Sequence, residues 1–300
     1  MGCRIQRKGN KSEGTIGVFV QHPFYGVCGI TCAHVLLNKD EMNSCHENTN
    51  NKMWLSNDPK GTVYQPYPPH VIGVLRMAIV KEGNDNPIGI EIAVIQLTKR
   101  KPNSGQFSAS RETREDGLEF NSGKICREPG ENRLCFKYGS VTDYTEGTII
   151  PSKYNAMIES WDEHNDSTKT KNEKQKTKTT IIRGQIMVKS SCKRSFAEEG
   201  DSGGPVFVFD TKGDIACIGI VEAGCKSMGM ALVTPIGRIV DEIGVEQLIP
   251  FHPTNTKILR EIEKIQQNQS EIIGNQVQML GKLERLLDTG DHRSPRERRK

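Results

Sequence analysis

Short apolar runs rich in Val and Ile, separated by Gly, Pro and Asn clusters, fill most of the first 250 residues and predict β-strands. One set covers residues 15–20, 27–31, 71–80 and 90–97. A second covers 134–138, 147–150, 181–188, 205–209, 215–221 and 230–233. Many short strands of this kind point to an all-β barrel protein. Residues 1–13 are mostly polar and read as a tail, which leaves 14–102 for a first barrel and 132–250 for a second, joined by a polar linker at 103–131. Residues 161–180 carry five lysines and no apolar periodicity, so they read as a solvated, mobile insertion in the second barrel. Residues 235–243 have helical spacing.

After Pro253 the period changes. Ile258, Ile265, Ile272, Met279 and Leu286 recur every seven residues, with Ile262, Gln269, Gln276 and Leu283 at the alternate seam positions. This heptad pattern predicts a helix over 256–288 with a narrow apolar stripe, as in helices that pack on other helices. It would make the chain a homo-oligomer through residues 257–288, or else lie back on the barrels. A basic tail, 289–300, follows.

The chain has 300 residues, 35% of them hydrophobic, and a net charge of +4. No run of about 18 apolar residues offers a membrane span. The first 14 residues lack a secretory core, and nine cysteines is an odd number. Together these suggest reduced thiols and an intracellular, cytoplasmic protein. Met1-Gly2-Cys3 begins like proteins acylated on Gly2 and Cys3, which would allow membrane attachment, although Gln6 stands where that motif wants Ser or Thr. No nucleic-acid motif is present, so nucleic acid is not an expected partner. Cys28, Cys32, His34, Cys45 and His46 fit no common zinc spacing, so no metal or cofactor is expected.

The chemistry concentrates in Gly200-Asp201-Ser202-Gly203-Gly204-Pro205 and, 168 residues upstream, Thr31-Cys32-Ala33-His34. A serine hydroxyl is a weak nucleophile at neutral pH. It needs an imidazole to take its proton and amide N–H groups aimed at the developing oxyanion. His34 could supply the first, and the N–H groups of Gly200 and Ser202 the second.

These motifs resemble the chymotrypsin-like serine peptidases, and the resemblance spans roughly residues 14 to 250. Residues 26–35 resemble the family's strand and histidine turn, 91–97 its acid-bearing strand, and 137–148 the opening hairpin of the second barrel in bacterial members. The resemblance implies two packed six-stranded antiparallel β-barrels and a serine endopeptidase acting on protein or peptide substrates through an acyl-enzyme. The implied triad is Ser202, His34 and Glu91, with Glu91 where the family has Asp. Residues 219–224 resemble the strand along which substrate lies, where Glu222 replaces a usual Ser. Glu222 is therefore a second candidate for the triad acid. The pocket floor would fall at Phe196, with Glu199, Glu222 and Gly224 around it. Digestive members pair the Asp before the serine with a new amino terminus released by cleavage. No such cut site is evident here, so a protease made without a zymogen step is expected, the partner of Asp201 being left open. The alternative is a catalytically impaired protease-fold scaffold that binds partners through its C-terminal helix.

Overall fold

The computed structural model describes residues 1–48, 51–54, 59–84, 87–107, 118–159, 179–251 and 255–290. Two units are distinguished, Met1–His252 and Pro253–Lys300.

In the first unit, strands β1 (Arg4–Arg7), β2 (Glu13–Thr15), β3 (Phe19–His22), β4 (Gly26–Thr31), β5 (Lys52–Trp54), β6 (Thr62–Tyr64), β7 (Val71–Lys81) and β8 (Ile90–Leu97) form a half-barrel. Their order is β2-β1-β6-β7-β8-β4-β3, with β5 also on β7. A closed antiparallel barrel follows, built from β9 (Leu134–Gly139), β10 (Asp143–Glu159), β11 (Thr179–Ser190), β12 (Pro205–Phe209), β13 (Ile215–Cys225) and β14 (Met230–Pro235). Helices α1 (Ala33–Leu36) and α2 (Lys39–Glu47) follow β4, and α3 (Ile236–Ile243) follows β14. The two-barrel architecture is as the sequence predicts. The first sheet, however, has eight strands where six are expected.

The difference begins at the N-terminus. Residues 1–13 are not a free tail, because β1 pairs with β2 and β6, and Ile5 is fully buried. The charge that disguises this strand is internalised with its partners. Arg7 donates to the carbonyls of Lys60 and Leu36 at 2.8 and 2.7 Å and makes a two-pronged ion pair with Glu41. Gly2 and Cys3 are part of the same fold. The N–H of Gly2 donates to Ile16, and the carbonyl of Cys3 accepts from Ile16.

The linker is also less polar than its composition suggests. Phe107 stacks on Tyr138 with ring centroids 4.0 Å apart, and Phe120 packs against Phe207. One continuous core runs from the first sheet through Phe120, Phe136, Tyr138 and Phe207 to α3, and the interior of the closed barrel forms a second. The expected insertion lies outside the described residues, apart from the first two positions of β11. All nine cysteines are free thiols. No helix among the described residues is long and apolar enough to cross a membrane.

The second unit is one helix, α4 (Asn255–Gly290), of 36 residues. At 1.5 Å per residue it is about 54 Å long. Ile265, Ile272, Met279 and Leu283 on its seam are each more than half exposed, as are Ile273 and Leu280 beside it.

Candidate active site

Three pieces of chain converge between the two sheets. β4 ends at Thr31 and delivers His34 on the first turn of α1, while its partner β8 carries Glu91 one residue inside its start. The Glu91 carboxylate grips this turn at two points. Oε2 accepts from His34 Nδ1 at 2.8 Å, and Oε1 accepts the backbone N–H of the same residue. The Ala33 N–H donates to Glu91 as well. Glu91 thus holds both the ring and the backbone of the turn.

Ser202 lies on the loop before β12. Its carbonyl accepts from Thr15 N at 2.8 Å, and the Gly200 carbonyl accepts from both Thr15 Oγ1 and Ser140 Oγ at 2.8 Å. With those carbonyls turned into the protein, the N–H groups of Gly200 and Ser202 have no acceptor among the described residues, as an oxyanion site requires. The Ser202 hydroxyl likewise makes no hydrogen bond among them. Gly203 is forced by crowding as well as by its φ of +87°. A Cβ there would sit 2.2 Å from Thr31 Oγ1 and 2.3 Å from the Thr15 carbonyl. The space it leaves is filled by the chain's own first sheet, not by substrate.

Asp201 finds its partner inside the second barrel. Lys137 on β9 places Nζ 3.2 Å from Asp201 Oδ2, and both side chains are fully buried. Val141 N and Thr142 N donate to Oδ1, and Thr142 Oγ1 and Glu198 N to Oδ2. Burial opposes ionisation of Asp201, but the Lys137 charge and these donors outweigh it and hold its carboxyl below the usual range. No cleaved amino terminus is needed for this loop to be ordered. The signal was available in the sequence as a single lysine inside the apolar run Leu-Cys-Phe-Lys-Tyr.

Of the expected pocket residues, two are buried and two are exposed. Phe196 is fully buried in the closed barrel, with Lys137 Nζ 5.9 Å above its ring, so it covers the Lys137–Asp201 pair. Glu222 is buried too. It sits at the irregular pairing between Val221 and Ala223, and its side chain turns inward, putting Oε1 3.9 Å from His34 Nδ1. Only Glu199 and Gly224 remain exposed. Gly224 packs so tightly on Ala197 that a Cβ would lie 2.5 Å from its carbonyl oxygen.

Around His34 the electrostatics are those of a dry carboxylate cluster. Burial pulls His34 below its ordinary value, although Glu222 works the other way, so the ring is neutral and able to accept a proton near pH 7. Burial raises Glu91, and the hydrogen bonds from Glu222, His34 and Ala33 restrain the rise. Glu222 is pushed well up by burial and by the Glu91 charge. Cys32, His34 and Glu222 offer ligand atoms within 4.8 Å of one another. They suit a metal poorly, because His34 Nδ1 is committed to Glu91 and burial together with the two carboxylates keeps the Cys32 thiol protonated.

No family model and no curated protein matches the sequence. Solved structures do. A glutamic-acid-specific serine protease, described as using a histidine triad in substrate binding, aligns over 83% of this chain and 98% of its own, with TM-score 0.50 and 15% identity. Nocardiopsis protease aligns over 83% and 97%, with TM-score 0.50 and 12% identity. At such identities the likeness speaks for architecture, and the architecture of this chain is that of the chymotrypsin-like serine proteases.

Proposed function

We propose that the protein is a serine endopeptidase acting through Ser202, His34 and Glu91. The observation that carries this reading is the 2.8 Å contact between His34 Nδ1 and Glu91 Oε2, with Gly203 of the serine loop packed against Thr31, three residues before His34. Glu91 fixes the tautomer with its proton on Nδ1, which leaves Nε2 free to accept. The Ser202 hydroxyl attacks the scissile carbonyl and passes its proton to Nε2. The C–O bond forms as the carbonyl π pair moves to oxygen, and the N–H groups of Gly200 and Ser202 receive that charge. Collapse expels the amine, which takes the proton from His34, and water repeats the sequence to release the acid. A fluorophosphonate probe should label the native protein and not Ser202→Ala, with His34→Ala labelling very slowly. Absence of labelling on correctly folded native protein would turn the reading towards a protease-fold scaffold.

We further propose that α4 assembles the protein by pairing with a second copy. A seven-residue period keeps Ile265, Ile272 and Met279 on one side of the helix, where each is more than half exposed. Such a stripe suits packing against another helix, and a second copy supplies the same stripe. Full-length protein is therefore expected to sediment as an oligomer, and a chain ending at Pro253, which keeps the compact first unit, as a monomer. A monomeric full-length protein at tens of micromolar would rule this out.

A further inference from the structure

Glu222 is a buried carboxyl with too few donors to be an anion. Its Oε1 receives no hydrogen bond, and His34 Nδ1, 3.9 Å away, directs its proton at Glu91. Its Oε2 faces Thr234 Oγ1 at 2.9 Å, but that hydroxyl has one proton and also lies 2.7 Å from Gln185 Oε1. The Gln185 amide is oriented by its other end, where Nε2 donates to Gly89 and Arg183 carbonyls. One hydroxyl proton thus stands between two acceptor oxygens. The remaining neighbour, Cys32 Sγ, is 3.6 Å from Oε2 and closer to the Val221 carbonyl.

Glu91 is the opposite case. It receives three N–H groups, from the His34 ring, the His34 backbone and the Ala33 backbone. Two adjacent buried carboxyls cannot both ionise readily, and the one with more donors keeps the charge.

We propose that Glu222 is a permanently protonated carboxylic acid that donates through Oε1 to Glu91, so that the pair carries one negative charge and Glu222 positions Glu91 against His34. This role rests on the site reading above, but the protonation does not require that the protein be an enzyme. Placing the proton on Oε1 gives the orphaned oxygen a partner and supplies Glu91 with a further donor. The irregularity in β13 has the same explanation, since it turns the Glu222 side chain inward to meet Glu91.

The titratable groups facing Glu222 are Glu91 on β8, His34 on α1 and the Cys32 thiol just before α1. Gln185 on β11 and Thr234 on β14 are neutral. Cys32 is held protonated by its burial, so it takes no part near neutrality.

The test is linkage between protons and folding. An unfolded glutamate is ionised above about pH 5, whereas a Glu222 that keeps its proton must release it on unfolding. The folded state then binds the extra proton, and stability falls as pH rises between the unfolded and folded values. Urea unfolding is measured between pH 5.5 and 7.5, in roughly half-unit steps, for the native protein, Glu222→Gln and Glu91→Gln. The unfolding constant of the native protein should gain about tenfold per pH unit relative to Glu222→Gln, the effect of one proton. Glu91→Gln should keep the one-proton dependence due to Glu222 and lose only the share that Glu91 adds, since burial raises the Glu91 carboxyl to about 7, inside this window. Parallel profiles in all three proteins, or loss of the dependence in Glu91→Gln alone, would overturn the proposal. Infrared spectroscopy of the native protein provides a check that needs no variant. A protonated-carboxyl carbonyl band at pH 7 is expected, and its absence would equally overturn the assignment. Neither measurement reads activity, so an inactive protein that passes both would remove the protease reading and leave this one standing.

Discussion

Glu91→Gln is expected to lower turnover by about 10³ to 10⁴, the scale seen when the orienting acid of such a triad becomes an amide. The amide keeps an oxygen for the backbone N–H groups of Ala33 and His34, so the turn should hold its shape. What changes is the ring. An NH₂ facing Nδ1 favours the tautomer with its proton on Nε2, which cannot accept from Ser202, and the imidazolium formed during attack loses its counter-charge. Single-turnover acylation with an ester substrate measures this directly. Glu222→Gln should cost much less, because its amide can still donate to Glu91. A loss below tenfold for Glu91→Gln would move the acid elsewhere, and a larger loss from Glu222→Gln would name Glu222 as the acid.

The second large effect is structural. Lys137→Met should destabilise the fold by about 3 to 5 kcal/mol, the usual consequence of leaving one member of a buried ion pair without its partner. Both Lys137 and Asp201 are fully buried, so water cannot replace the missing charge. Adding Asp201→Asn to Lys137→Met should recover part of the loss, since an amide needs no counter-ion. Urea unfolding of the two variants provides the comparison. Because the Asp201 carboxyl titrates below its unfolded value, its contribution is complete above the ordinary carboxylate range and is lost as pH falls through the folded value. A cost under about 1 kcal/mol at pH 7 would mean that the four hydrogen-bond donors around Asp201 suffice without the lysine.

The strands of the two sheets were legible wherever apolar runs met Gly or Pro breaks, as at β4, β7, β8 and β12. Residues 15–20 were only partly so, since β2 ends at Thr15 and β3 begins at Phe19. β1 was hidden because its inward positions are Ile5 and Arg7, and a buried arginine resembles a solvated one until Glu41 is placed beside it. α2 was hidden for a related reason. Of its nine residues only Cys45 is buried, so it has little apolar periodicity, although Asn38 and Glu41 form the capping box that would have marked its start. The triad motifs were legible as short sequences, whereas the Lys137–Asp201 pair and the inward turn of Glu222 depend on strand register. Lys137, Glu91 and Glu222 nevertheless share one visible mark. Each is a lone charge within an apolar strand, where solvent cannot reach and a specific partner is required.

Thr15 binds the Ser202 and Gly200 carbonyls across about 185 residues of sequence, with Thr15 Oγ1 donating to Gly200 at 2.8 Å. Contacts of such long range form late, because the intervening chain must first be closed into a loop. The serine loop therefore takes its shape only after most of both sheets has been made, although the strand that holds it is among the first parts of the chain to leave the ribosome.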